Sequence, residues 1–116
     1  MKTMILIASL LFLSTANATS YLGGKTPLYI FGSKAIYFGI AKENLPKDLC
    51  SYWGRNFTFD ATTEVGKNML SILLAAKMAN KKIDIWYRAS KAPGTNQANG
   101  CNHHSMAVLT MIGIHG

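Results

Sequence analysis

Hydrophobic and polar positions follow different periods along the 116 residues, and each change of period marks an element. Residues 28–40 read L-Y-I-F-G-S-K-A-I-Y-F-G-I, aromatic and β-branched side chains punctuated by Gly32, Ser33 and Gly39. That run predicts two short strands joined at G-S-K, or one long strand kinked at a glycine. Residues 42–49, K-E-N-L-P-K-D-L, form a polar turn segment around Pro46. A third strand is expected over 53–60, where Phe57 and Phe59 alternate with Asn56, Thr58 and Asp60.

The period then lengthens. Val65, Met69, Leu70, Ile72, Leu73, Ala76 and Met78 form an apolar stripe at helical spacing, after Asp60, Thr62 and Thr63, each competent to cap a helix, and Glu64 in the first turn. The helix is expected to end at Asn80, with Lys77, Lys81 and Lys82 near its negative end. Residues 82–90, K-I-D-I-W-Y-R-A-S, return to strict alternation, with Ile83, Ile85 and Tyr87 on one face and Asp84, Trp86 and Arg88 on the other. Residues 91–100 are rich in turn formers, and 105–114, S-M-A-V-L-T-M-I-G-I, are apolar enough for a central strand.

The expected order is therefore strand, strand, strand, helix, strand, strand. It predicts a mainly β chain with one helix, folded as a five-stranded OB-fold-like barrel whose helix plugs one end. The alternative is an α+β domain with one helix across an open antiparallel sheet.

The N-terminus changes the length that has to fold. Lys2, the apolar run 4–13 and the small residues Ala16 and Ala18 describe a secretory signal over residues 1–18. The apolar run is too short to span a bilayer, so no stable membrane insertion is expected after cleavage. The remaining residues, 19–116, are enough for one domain, and the reading places the mature protein in the periplasm or outside the cell. Removing Lys2 lowers the formal charge from +7 by one. The basic residues are spread out and mostly lysine, which argues against a nucleic-acid groove and for general attraction to anionic surfaces.

In an exported chain the two cysteines, Cys50 and Cys101, are expected to form one disulfide. The neighbouring histidines in N-G-C-N-H-H-S (residues 99–105) raise two other readings. A zinc site of Cys50, Cys101, His103 and His104 has a plausible ligand count, but adjacent histidines on an extended segment point to opposite faces. A cysteine nucleophile needs a free thiol, which the bridge removes. His103 and His104 are therefore read as solvated loop residues, and no metal or cofactor is expected. The five acidic residues form no persuasive pair, so the chain is read as non-catalytic.

The segment from Trp53 to Tyr87 resembles a known family. A cysteine and tryptophan upstream, the helix S-I-L-L-A-A-K-M-A and the strand N-K-K-I-D-I-W-Y (residues 80–87) are similar to the receptor-binding subunits of pentameric bacterial exotoxins, in the branch of the subtilase cytotoxin and typhoid toxin binding subunits. The similarity covers about the central third of residues 19–116, and Asp84 stands where that family tends to carry arginine. The resemblance implies a homopentamer, a separate catalytic toxin chain and recognition of sialylated or other host glycans, with Tyr87 in the glycan site. Trp86 and Arg88 flank it and supply a stacking ring and a cation for an anionic sugar. A periplasmic inhibitor or adaptor on the same fold is the competing reading.

Overall fold

The computed structural model describes residues 19–42, 45–46, 49–90 and 96–116. The signal-peptide expectation lies outside these residues, as do parts of the turn segment 42–49 and of the loop 91–100. Among the described residues six strands and one α-helix follow in the order β1 (Thr19–Lys25), β2 (Pro27–Gly32), β3 (Ala35–Ile40), β4 (Phe57–Asp60), α1 (Glu64–Met78), β5 (Ile83–Arg88) and β6 (Ala107–Ile114), with one 3-10 turn at Gln97–Asn99 before β6. They form one mixed sheet in the order β1-β5-β6-β4-β3-β2, antiparallel except for the β4–β6 pair.

The mainly β chain with a single helix is as expected, but the closed five-stranded barrel is not what forms. The sheet is open, with β1 and β2 as its two edges. The alternative, an open sheet with one helix across it, is what forms, except that one pair is parallel, because the chain returns through α1 and β5 before β6 runs alongside β4. The sixth strand arises at the N-terminus. Pairing of β1 with β5 slips between Leu22 and Lys25, at Gly23 and Gly24, and two residues later Pro27 lacks the N–H that a continuing ladder needs. The chain therefore breaks at Thr26 and pairs onward with β3 as a separate strand. Only Thr26 separates β1 from β2, so the chain passes directly from one edge strand of the sheet to the other.

Strand alternation sets the core. Ile36, Phe38 and Ile40 of β3, Phe57 and Phe59 of β4, Ile83, Ile85 and Tyr87 of β5, and Ala107, Leu109 and Ile112 of β6 are all buried. Phe57 lies 5.4 Å from Phe38 and 5.1 Å from Tyr87 between ring centroids, contacts worth about 0.5–1.5 kcal/mol each beyond area burial. α1 covers this face with Gly66, Met69, Leu73 and Ala76. Val65 and Met78, expected on the apolar stripe, are instead exposed, because the buried line follows the 66-69-73-76 spacing and both fall off it.

Local chemistry fixes the ends of α1. The Thr63 hydroxyl accepts the Gly66 N–H at 2.9 Å, and Asp60 accepts both the N–H and the hydroxyl of Thr62. These bonds, the hydroxyl's foremost, hold the Asp60 carboxyl below its ordinary range. Gly66 is required for space, since a Cβ there would meet the Asp60 carbonyl. At the far end Asn80 takes a left-handed conformation, ordinary for a residue just past a helix.

Candidate functional site

The three residues expected to bind glycan do not share a surface. Tyr87 is 2% exposed and packs into the core against Phe57. Trp86 faces the opposite side of the sheet, its ring 4.8 Å from that of Tyr21, and Arg88 is exposed at the end of β5. The Tyr87 ring therefore lies in the core rather than on a surface in this fold. Asp84, on the same side as Trp86, has a local structural task. It accepts the Gly24 N–H at 2.8 Å and pairs with His115 Nδ1 at 2.8 Å. The Gly24 bond is the main cause that holds its carboxyl below the ordinary range; partial burial opposes it and His115 adds to it.

Cys50 and Cys101 form the expected disulfide, with their Cα atoms 5.6 Å apart and a sequence separation of 51. Both sulfurs are buried with Met106, against Tyr37 and Tyr52. The thiols bonded to each other are no longer thiolate ligands, which removes the four-residue zinc set. The histidines lie on a turn rather than an extended segment: Asn102 Oδ1 accepts the His104 N–H and the Ser105 N–H donates to the Asn102 carbonyl. The two rings consequently sit on the same side, 3.8 Å apart, with His103 6.0 Å from the Tyr52 ring.

The disulfide also anchors an aromatic surface not anticipated from the sequence. Tyr52 and Arg55 exchange two backbone hydrogen bonds, of 2.8 and 3.0 Å, around a two-residue turn in which Trp53 has φ +53° and Gly54 φ +82°. Positive φ at both central residues is the signature of a type I′ turn, whose first position is normally Asn, Asp or Gly. Here it is tryptophan, 61% exposed. The Trp53 N–H donates to Gln97 Oε1 and its carbonyl accepts Arg55 Nη1, so the turn is tied on both sides. Gly39 lets this turn lie on β3, since a Cβ there would run into the Gly54 carbonyl.

A second aromatic residue is held in the same way. Between the Leu28–Gly39 and Phe31–Tyr37 pairs, Tyr29 and Ile30 face one residue of β3, a bulge, and Tyr29 carries φ +51° where such bulges usually place glycine. Tyr29 is 58% exposed, and a Cβ on Gly54 would lie 3.5 Å from its ring. Left-handed backbone disfavours a side chain by about 1–2 kcal/mol per residue. Two adjacent segments therefore sustain strain to present aromatic rings to solvent, an arrangement concentrated at binding sites.

Beside this turn is a recess of about 320 Å³ lined by Phe31, Tyr37, Tyr52, Arg55 and His103. The Arg55 guanidinium carbon sits 3.5 Å from the centre of the exposed Phe31 ring, and its buried Nε has no hydrogen-bond partner among the described residues. A larger recess of about 500 Å³, lined in part by Tyr29, Ser51, Gly54 and Asn56, shares the turn. Asn56 is occupied structurally, accepting the Ile40 N–H and donating to the Cys50 carbonyl. Among the described residues, no three His, Cys, Asp or Glu side chains gather in metal-binding geometry, and no helix is long and apolar enough to cross a membrane.

The sequence carried only half of the signal for this surface: in Tyr-Trp-Gly-Arg, residues 52–55, Gly54 suits the second central position of a type I′ turn, but tryptophan is not among the residues usual at the first. What the fold and site define is a disulfide-stapled, single-helix mixed sheet presenting a strained aromatic surface around one arginine. No known protein family, curated protein or solved structure matches the chain.

Proposed function

We propose that the chain is a secreted, non-catalytic binding module that recognises host cell-surface glycans through the surface of Tyr29, Phe31, Tyr52, Trp53, Arg55 and His103. The single observation that carries this reading is the left-handed backbone of Tyr29 and Trp53, because both positions disfavour a side chain and yet hold aromatic residues that keep more than half of their surface in solvent. Flat rings stack on the apolar faces of sugars, and the Arg55 guanidinium suits an anionic or hydroxyl-bearing group placed between them. Export agrees with the Cys50–Cys101 bond, which persists in an oxidising compartment.

The resemblance to toxin binding subunits extends this reading to a homopentamer that carries a separate catalytic chain. Two strand edges, β1 and β2, are available to neighbouring copies, together with Tyr21, Trp86 and the exposed Met111 opposite Trp86 on β6. Light scattering after size-exclusion chromatography tests the ring; a monomer eliminates it. A glycan array tests the site. Phe31→Ala and Arg55→Gln should each abolish signal that Tyr87→Phe retains, whereas retention by all three variants would rule out the recess, and absence of any hit would favour an inhibitor or adaptor.

A further inference from the structure

The C-terminal end of α1 carries a charged surface that shares no residue with the aromatic site. A recess of about 240 Å³ lies there between the helix end and the β1–β2 junction, lined by Thr26, Pro27, Lys77, Asn80, Lys81 and Lys82. All three lysines are exposed, and none has an acidic partner among the described residues. One cation in the last turn suffices to complement the helix dipole, and Lys77 occupies that position. Lys81 and Lys82 lie beyond the last helical residue, so the cluster exceeds what the helix end needs.

Apolar side chains stand beside these charges. Met78 is 86% exposed and Leu74 is 41% exposed. Met78 lies four positions after Leu74 and next to Lys77, which places Leu74, Lys77 and Met78 on one outward face. An unbranched, exposed apolar side chain on the same helix end as lysines matches the boundary between acyl chains and phosphate headgroups, where the apolar group inserts and the ammonium groups meet phosphate.

We propose that this end of the molecule is a docking surface for an anionic phospholipid membrane, with a headgroup phosphate in the lysine-lined recess and Met78 inserted below it. Charge complementarity identifies the partner as anionic, and the exposed Met78–Leu74 pair favours a lipid surface over a soluble polyanion. Contact of this kind holds the protein peripherally, with no segment crossing the bilayer.

Vesicle flotation of the oxidised, exported protein tests the proposal, using phosphatidylcholine vesicles with and without phosphatidylglycerol. Binding should require phosphatidylglycerol and weaken at high salt. Lys77→Gln/Lys81→Gln should reduce partitioning by about thirtyfold, from two lost lysine contacts. Met78→Ser should reduce it by about tenfold through lost apolar burial. Lys34→Gln/Lys67→Gln, which removes the same charge from the turn and first helical turn at the other end of α1, should change it little. All of these side chains are exposed, and near-ultraviolet circular dichroism verifies the fold of each variant. Failure to bind phosphatidylglycerol vesicles, equal losses in the two double variants, or wild-type binding by Met78→Ser would each overturn the proposal. The last result, accompanied by full competition from heparin, would mark a polyanion site instead.

Discussion

Trp53→Asn separates a ring presented for binding from a ring that supports the fold. Trp53 is 61% exposed, so about two-fifths of its surface is covered, roughly 100 Å² of the area a buried tryptophan would hide. At about 25 cal/mol per Å² that coverage contributes about 2.5 kcal/mol at most, and asparagine retains part of it. Against this loss stands the left-handed backbone at φ +53°, which asparagine adopts readily and which disfavours tryptophan by about 1–2 kcal/mol. The net change should be a destabilisation of about 1 kcal/mol or less, far below the 3–5 kcal/mol typical of removing a packed aromatic side chain. Urea unfolding of the oxidised protein measures the first quantity and glycan-array signal the second. The expected pair is a nearly unchanged midpoint and a binding loss of tenfold or more. A stability loss near 3 kcal/mol with unchanged binding would refute the reasoning, because Trp53 would then be a structural strut.

Other substitutions test the framework around the site. Reducing the Cys50–Cys101 bond, or replacing both cysteines with alanine, should lower stability by about 4 kcal/mol from the entropy of the 51-residue loop, measured by the shift in unfolding midpoint. An unshifted midpoint would contradict the staple. Gly66→Ala should destabilise by about 1–2 kcal/mol although alanine is the better helix former, because its Cβ meets the Asp60 carbonyl; a gain in thermal midpoint would contradict that contact. Asp84 has a folded carboxyl held below its ordinary range, so its contribution is present above the unfolded value near 4 and lost as pH falls through the folded value. The stability difference between wild type and Asp84→Asn should accordingly be constant near neutrality and shrink below about pH 4; a difference that grows on acidification would reverse the assigned sign.

Elements whose side chains meet the core on one face were legible in the sequence. Alternation placed Ile83, Ile85 and Tyr87 together, and all three are buried. Thr63, one of three capping candidates, starts the helix, and Asn80 ends it. The two cysteines gave the disulfide once their setting was taken as oxidising. β1 was not legible, because T-S-Y-L-G-G-K is an edge strand with little to bury and two glycines in its interior. The alternation around Phe57 and Phe59 extends the expected strand back to Trp53, whereas β4 starts at Phe57 and Trp53 and Gly54 form a tight turn. The aromatic recess was the least legible feature. Phe31, Tyr37, Tyr52, Arg55 and His103 come from β2, β3, the turn and the segment after Cys101, brought together by the β2–β3 ladder, the disulfide and the Trp53–Gln97 bond.

Single-tryptophan fluorescence provides the most direct test of the central claim. The chain has two tryptophans, Trp53 in the proposed glycan surface and Trp86 on the outer face of β5 against Tyr21. Titrating an array-selected glycan into Trp86→Phe, which retains Trp53, should change the emission saturably, while Trp53→Phe, which retains Trp86, should give no response. A saturable response from Trp86 alone would move the site to the Tyr21–Trp86 face and contradict the account.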